Sequence, residues 1–367
     1  MKVPFFEYPR FYSNDKDTLL KVIDDVGNRG AFIMQQDLKD FELELAKFCN
    51  SDFSIGVANG TDALELALMA IGLKQGDEVI ISSHTMVATA SAIVTAGGVP
   101  IPVDIGYDNL IDPDSIESAI TKNTVGIMPT QLNGRTCDMD KICKIANKHG
   151  LFIVEDSAQA LGSKFKGKNA GTFGLAGGIS FFPAKVLGCL GDGGGVLIQD
   201  KEIYHKVFQL HDHGRDTDGD VKSWGRNSRL DNLNAAILLE KLKTYPNVIE
   251  RRRQIAGLYQ ALLGDMEELK LPPSPGSEKD HFDVFQNYEI EAKDRDALRL
   301  FLSDHEIGTL IQWGGKAIHQ FECFGFNCDL PKTDSFFKNC IMLPMNMFIT
   351  DDDVEYIAST IRNFYRS

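Results

Sequence analysis

Positive charge is scarce in this chain: 38 lysines and arginines stand against 52 aspartates and glutamates over 367 residues, a formal net charge of −14. Nucleic acid or an anionic membrane surface would need a basic face, so that balance argues against both as partners, while leaving room for a local positive pocket. Long apolar runs are missing too. The longest weakly polar stretch, Met86 to Val103, is broken by Gly97, Gly98 and Pro100 and reads as a buried helix and strand instead of a membrane span. The opening residues, Met1-Lys-Val-Pro-Phe-Phe-Glu, have neither the apolar core nor the cleavage pattern of a signal peptide, so the expected location is cytoplasmic. Cysteine is sparse and odd in number. Seven residues without paired short spacings argue against a disulfide frame or a zinc site, and no metal is expected. There are no internal repeats, low-complexity tracts or charge blocks.

What is present belongs to an ordinary globular protein, 43% hydrophobic and 25% charged. The length exceeds one average domain, which predicts a large domain over 1–245, with an N-terminal helical segment, and a smaller one over 246–367. Helical spacing first shows at Leu38, Phe41, Leu45 and Phe48, followed by a strand-like run from Phe53 to Ala58. From Glu78 to Asp156 strands and helices alternate, with Asp112-Pro113 as a helix start and Gly150 as a helix end. Alternation of this kind implies an α/β fold with a mostly parallel sheet between helices. Beyond Gly191 the pattern predicts a strand at Val196–Ile198, helices at 201–210, 232–242 and 250–263, and a polar loop from His211 to Ser228 too long for a mere connector. The last third reads as α+β: strands at 285–290 and 309–312, a helix near 295–304, and a C-terminal helix with Ile357, Ile361 and Phe364 on one face.

Chemistry concentrates at Ser180-Phe-Phe-Pro-Ala-Lys185-Val-Leu-Gly-Cys-Leu-Gly-Asp-Gly-Gly-Gly195. A lysine among aromatic and aliphatic neighbours loses hydration, which lowers its pKa and frees the amine as a nucleophile. The glycines after it offer positive φ angles and close backbone approach. A plain turn lysine fits the same residues. Upstream, Phe152-Ile-Val-Glu-Asp156 reads as a buried strand that delivers Asp156 at its C-terminal end, where ligands sit in open α/β sheets. That carboxylate suits either a pyridinium nitrogen or a helix cap. Asn59-Gly60-Thr61-Asp62-Ala opens a helix whose free N–H groups suit a phosphate, or whose start is capped by Thr61 or Asp62. Cys189, next to the lysine turn, is the one thiol worth following.

Taken together, Glu155-Asp156-Ser-Ala-Gln159, Ser180 to Lys185, Gly191 to Gly194, His213-Gly-Arg215, Asn227-Ser-Arg-Leu-Asp231 and Asn59 to Leu64 resemble the sugar aminotransferases of the DegT/DnrJ/EryC1/StrS family, in the family's order from about Gly30 to Asp231. The resemblance implies a fold-type I enzyme that depends on pyridoxal 5'-phosphate, cycling through the pyridoxamine form, and a homodimer with active sites at the interface. It implies amino transfer, from L-glutamate, to a 3-keto or 4-keto nucleotide-linked deoxysugar, as in cell-surface polysaccharide (lipopolysaccharide, O-antigen) or secondary-metabolite synthesis. Lys185 would carry the cofactor and move protons. Asp156 would face the ring nitrogen and Gln159 the ring hydroxyl. Gly60, Thr61, Asp62 and Ser180 would hold the phosphate, with Asn227 from the neighbouring subunit. Where relatives stack an aromatic ring on the cofactor, this chain has Met86, with His84 nearby as a second candidate or simply a core residue. For the sugar the candidates are Arg215, Trp313, Lys316 and His319. Lys316 and Trp313 also fit a solvated loop lysine and a packing residue. The same family contains sugar dehydratases, which typically carry histidine in place of the lysine. A non-catalytic regulatory protein that merely binds the cofactor is the other alternative.

Overall fold

Apolar runs that fill both faces of a strand decide the centre of this molecule. The structure, a computed structural model, describes residues 2–366. Its main sheet contains β1 (Phe53–Val57), β2 (Glu78–Ser82), β3 (Val99–Val103), β4 (Thr124–Met128), β5 (Phe152–Asp156), β6 (Ala176–Ser180) and β7 (Gly194–Ile198). They lie in the order β1-β7-β6-β5-β4-β2-β3, and only β7 runs against the rest. Side chains alternate across the sheet because the strand period is two. Val79, Ile81, Met128 and Val154 enter the core on one face, while Ile80, Ile127 and Ile153 enter the core on the other. Helices cover both faces, so the strands carry no polar side.

Three helices fix the start of the chain: α1 (Tyr8–Arg29), α2 (Gln36–Cys49) and α3 (Gly60–Ile71). The expected stripe of α2 packs as read. Leu38, Phe41 and Leu45 are buried against Ile179, Phe181 and Leu187, directly behind the lysine turn. Met86 to Val103 likewise resolves into a helix, Val87–Thr95, and strand β3. No described helix is long and apolar enough to cross a membrane.

The last third builds a second core around a three-stranded antiparallel sheet of β8 (Leu269–Lys270), β9 (Tyr288–Ala292) and β10 (Cys340–Leu343). Ile290, Leu298, Leu302, Ile341, Ile357 and Ile361 fill it, and Val3 joins from the amino terminus. The helix Tyr245–Leu263 connects the cores, with Tyr245 and Ile249 in one and Ile255, Tyr259 and Leu263 in the other. One expected strand does not form. Residues 309–312 make only a single bridge, Leu310 to Met342, and Gln312–Gly315 turn as a 3₁₀ segment in which Trp313, Gly314 and Gly315 all have positive φ. Three left-handed residues in a row cannot continue a strand.

Candidate active site

β1, β2, β4, β5 and β6 all end at the same edge of the sheet, because parallel strands point their carboxyl ends one way. A cavity of about 670 Å³ opens there, and its wall includes Gly60, Thr61, Asp62, Met86, Asp156, Gln159, Ser180, Lys185 and Trp313. Residues 253 positions apart in sequence are thereby brought to one place.

Asp156 ends β5 at 4% exposure. Thr89 Oγ1 donates to its Oδ2 at 2.6 Å and the Ala158 N–H to its Oδ1 at 3.1 Å. Burial raises its pKa, and those donors with the Lys185 charge oppose the rise. Thr89 is itself fixed by Thr85, whose hydroxyl lies 2.7 Å from that of Thr89 and 2.8 Å from that of Thr130. This hydroxyl chain was not foreseen; its only trace in the sequence is the four-residue spacing of Thr85 and Thr89 across a helix start. Lys185 lies on the turn after β6, partly open to the cavity yet enclosed by protein. Burial brings its pKa down to about 8, against the pull of Asp156. The desolvating neighbours are not all those expected: Phe181 and Leu187 are buried behind the turn, whereas Phe182 is 48% exposed and lines the cavity.

The glycines after Lys185 serve close approach alone. None from Gly188 to Gly195 has a positive φ. At Gly194 a Cβ would sit 2.3 Å from the Asn59 carbonyl, and at Gly60 one would sit 2.9 Å from Ser180 Cβ. Strand β7 and the start of α3 can therefore touch only as glycines. The cap of α3 is Asn59, whose Oδ1 accepts from Asp62 N at 2.8 Å, and not Thr61 or Asp62. Asp62 has thus committed its N–H, while those of Gly60 and Thr61 remain directed toward the cavity as at any helix start. Cys189 is a buried packing residue: its Sγ donates to Phe181 O, and burial pushes the thiol up to about 11. All seven cysteines are free.

Other candidates lie outside this chain's cavity, among them His84, whose alternative reading is a core residue, and Asn227, whose expected place is the neighbouring subunit's site. His84 is 1% exposed in a core of Phe336 and Phe337, which leaves Met86 at the cavity wall. His319 is held by Ser83 Oγ at 2.6 Å and Asp334 Oδ1 at 3.1 Å, outside the cavity wall. Lys316 is exposed, with Nζ 5.9 Å from the Phe321 ring. The left-handed turn that carries Trp313 inward faces Lys316 outward. Arg215 and Asn227 are exposed on the arm between His211 and Ser228, and neither lines this chain's own cavity. Conversely, Gln286 was missed. It lies 101 positions after Lys185, accepts from Val186 N at 2.9 Å and donates to Ala184 O at 3.0 Å, clamping the lysine turn from the second core. No local pattern announces such a contact.

A family model for the DegT/DnrJ/EryC1/StrS aminotransferase family matches residues 13–362. The chain is 36% identical over 371 residues to a pleiotropic regulatory protein of Geobacillus stearothermophilus, covering 100% of this chain and 99% of that one. It is 32% identical to the dTDP-3-amino-3,4,6-trideoxy-alpha-D-glucose transaminase of Streptomyces venezuelae, covering 99% and 96%. Among solved structures, S. venezuelae DesV in complex with a ketimine intermediate superposes with a TM-score of 0.95 at 32% identity, covering 100% and 99%. NtdA from Bacillus subtilis with bound cofactor PMP does so at 0.91 and 29%, covering 100% and 86%.

Proposed function

This chain belongs to the DegT/DnrJ/EryC1/StrS aminotransferase family, and from that premise we propose that it transfers an amino group from L-glutamate to a 3-keto or 4-keto nucleotide-linked deoxysugar, with pyridoxal 5'-phosphate as cofactor. The observation that carries the reading is the meeting of Lys185, Asp156 and the N-terminus of α3 around one cavity of about 670 Å³. These residues suit the cofactor: a partly desolvated amine, a buried carboxylate, and backbone N–H groups where only glycine allows close approach. When bound, the cofactor supplies an electron sink for the carbanion left at the donor Cα.

The chain's own residues supply the rest. Lys185 Nζ, with a pKa near 8, is neutral in part near neutrality, so it can take the proton from the donor Cα as a base and then, as an acid, would deliver it to the cofactor carbon. Asp156 accepts a ring N–H, and the cationic partner offsets the burial that otherwise raises the carboxylate's pKa. Gly60, Thr61 and the Ser180 hydroxyl hold the phosphate, Met86 covers a ring face, and Gln159 meets the ring oxygen. Trp313 forms the acceptor wall.

A second copy of the chain completes the site in this reading. The arm between His211 and Ser228 is tied to the body by Arg226 on Glu65 and by Arg229 on Asp212, yet Trp224 on its returning side is 96% exposed. An exposed tryptophan on the same arm as Arg215 and Asn227 favours insertion into a partner's surface. We also take the chain as two units, 1–245 and 246–367, supported by the separate cores; Val3, Phe11 and His84 are among the residues of the first range that pack with the second. The test is spectroscopic: purified protein loaded with pyridoxal phosphate should lose its near-visible band on addition of glutamate and release 2-oxoglutarate, and a panel of 3-keto and 4-keto nucleotide sugars should restore the band selectively. An unchanged spectrum with glutamate would overturn the reading.

A further inference from the structure

One buried carboxylate behind the cavity has no part in the reaction as described. Glu289, on β9, is 6% exposed and lies where the second core meets the loops of the main sheet. Its Oε2 accepts from Asn133 Nδ2 at 2.6 Å and from Gln312 Nε2 at 2.9 Å, and His84 Nε2 lies 3.4 Å away. The His84 ring is held in place from its other side: Nδ1 is 2.8 Å from Asn109 O, and Trp313 meets the ring edge at 5.6 Å. The Oε2 atom accepts both contacts, so both amides turn their NH₂ groups toward it.

The consequence runs outward to the cavity. With its NH₂ on Glu289, Asn133 presents Oδ1 to Gln312 Nε2 at 2.9 Å and to Asn287 Nδ2 at 2.8 Å. Asn287 Nδ2 then also reaches Gln159 Oε1 at 3.3 Å, and the Asn133 N–H donates to the same oxygen at 2.9 Å. Gln159 is thus gripped by its carbonyl oxygen, which leaves its NH₂ as the group offered to the cavity. We infer that Glu289 is a positioning residue: through Asn133 and Asn287 it fixes Gln159 as a hydrogen-bond donor to an anionic ring oxygen of the cofactor, and through Gln312 it holds the strained turn of Trp313. The inference rests on the cofactor reading above, but its geometric core does not. An apolar side chain in place of Glu289 would leave the NH₂ groups of Asn133 and Gln312 without the acceptor they share at Oε2, and reversal of one amide propagates along the chain to Gln159.

The test is Glu289→Leu, compared with Gln159→Leu and with the double variant. Positioning predicts that Glu289→Leu weakens cofactor binding roughly five- to tenfold, the loss expected for about one hydrogen bond, and displaces the absorption band of bound cofactor in the same direction as Gln159→Leu. The double variant should be no worse than Gln159→Leu alone, since both changes remove one contact. Additive losses, or a Glu289→Leu protein with the wild-type band and affinity, would overturn the inference. Should Glu289→Leu fail to fold, Asn133→Gly cuts the same link at a position whose φ of 55° glycine tolerates, with the same outcomes expected. If wild-type protein takes up no pyridoxal phosphate, the functional reading falls separately. Crystal structures of the cofactor-free proteins then decide the inference: a Gln159 amide released from Asn133 in the variant sustains it, and an unmoved one overturns it.

Discussion

Among the described residues no carboxylate lies within ion-pair distance of Lys185, and the charge of Asp156 only partly offsets its desolvation. The sign of the resulting pH dependence follows. The unfolded chain keeps the lysine proton up to its ordinary pKa of 10.5, while the folded site releases it at about 8, so stability from this group is present above 10.5 and lost as pH falls through 8. Lys185→Met should therefore raise the urea midpoint of the cofactor-free protein at pH 7, with a gap to wild type that narrows by about pH 9.5; an equal gap at both would show that the lysine is solvated. The same variant should have no turnover. Asp156→Asn keeps the size and the Thr89 contact but cannot balance a cationic ring nitrogen. Its expected outcome is retained cofactor with a rate at least about a hundredfold lower, measured per bound cofactor. Loss of the cofactor at an unchanged specific rate would make Asp156 structural.

At the scale of elements, the arm between His211 and Ser228 carries the prediction. It folds back on itself through bridges at Asp212–Asn227 and Arg215–Val221, and none of its residues is in the wall of the cavity formed by the described residues. Lys185→Ala chains and Asn227→Ala chains, each inactive or impaired alone, should regain activity when mixed and allowed to exchange, because one heterodimer site then holds both wild-type residues. Demonstrated heterodimers without recovery would place the whole site in one chain. α1 makes a related point about legibility. Only Leu19 and Val26 are buried along its 22 residues, with Phe11, Val22 and Ile23 half-buried at the same helical spacing, so its apolar stripe is narrow and much of the helix stays open in one chain.

The two cores of the molecule are joined at the lysine turn. Arg252 is 5% exposed and has carbonyl partners in place of carboxylates: it donates to Phe285 O at 2.8 Å and Gln286 O at 2.6 Å, and burial draws its pKa down to about 10. Gln286 in turn clamps Ala184 and Val186. Arg252→Met preserves much of the volume and removes both donors. It should cost about 2–3 kcal/mol of stability and loosen cofactor binding, read by denaturant unfolding and by cofactor titration. A stability loss without any change in cofactor affinity would mean that the clamp does not reach the site.

Much of the fold and the centre of the site was legible because it is written in local patterns. Strands buried on both faces show as β-branched runs, helix ends as Asp112-Pro113 and Gly150, and Asp156 and Lys185, which both line the cavity, as a strand-end aspartate and a lysine before glycines, and these signals need only neighbours in sequence. What the chain's order could not determine is where residues with no local signature arrive. His84 went to the core and His319 to Ser83 and Asp334, because both rings found partners there that the cavity does not provide. The 309–312 strand gave way to a left-handed turn that carries Trp313 inward and leaves Lys316 outside. Gln286, Asn133 and Glu289 gained their places only when the second core closed on the first. The sequence by itself determined the sheet, its helices and the placing of Asp156 and Lys185 at their common edge; the tertiary structure decided which polar groups hold that edge in shape, since hydrogen-bond partners 100 or more residues apart are chosen by packing and not by spacing.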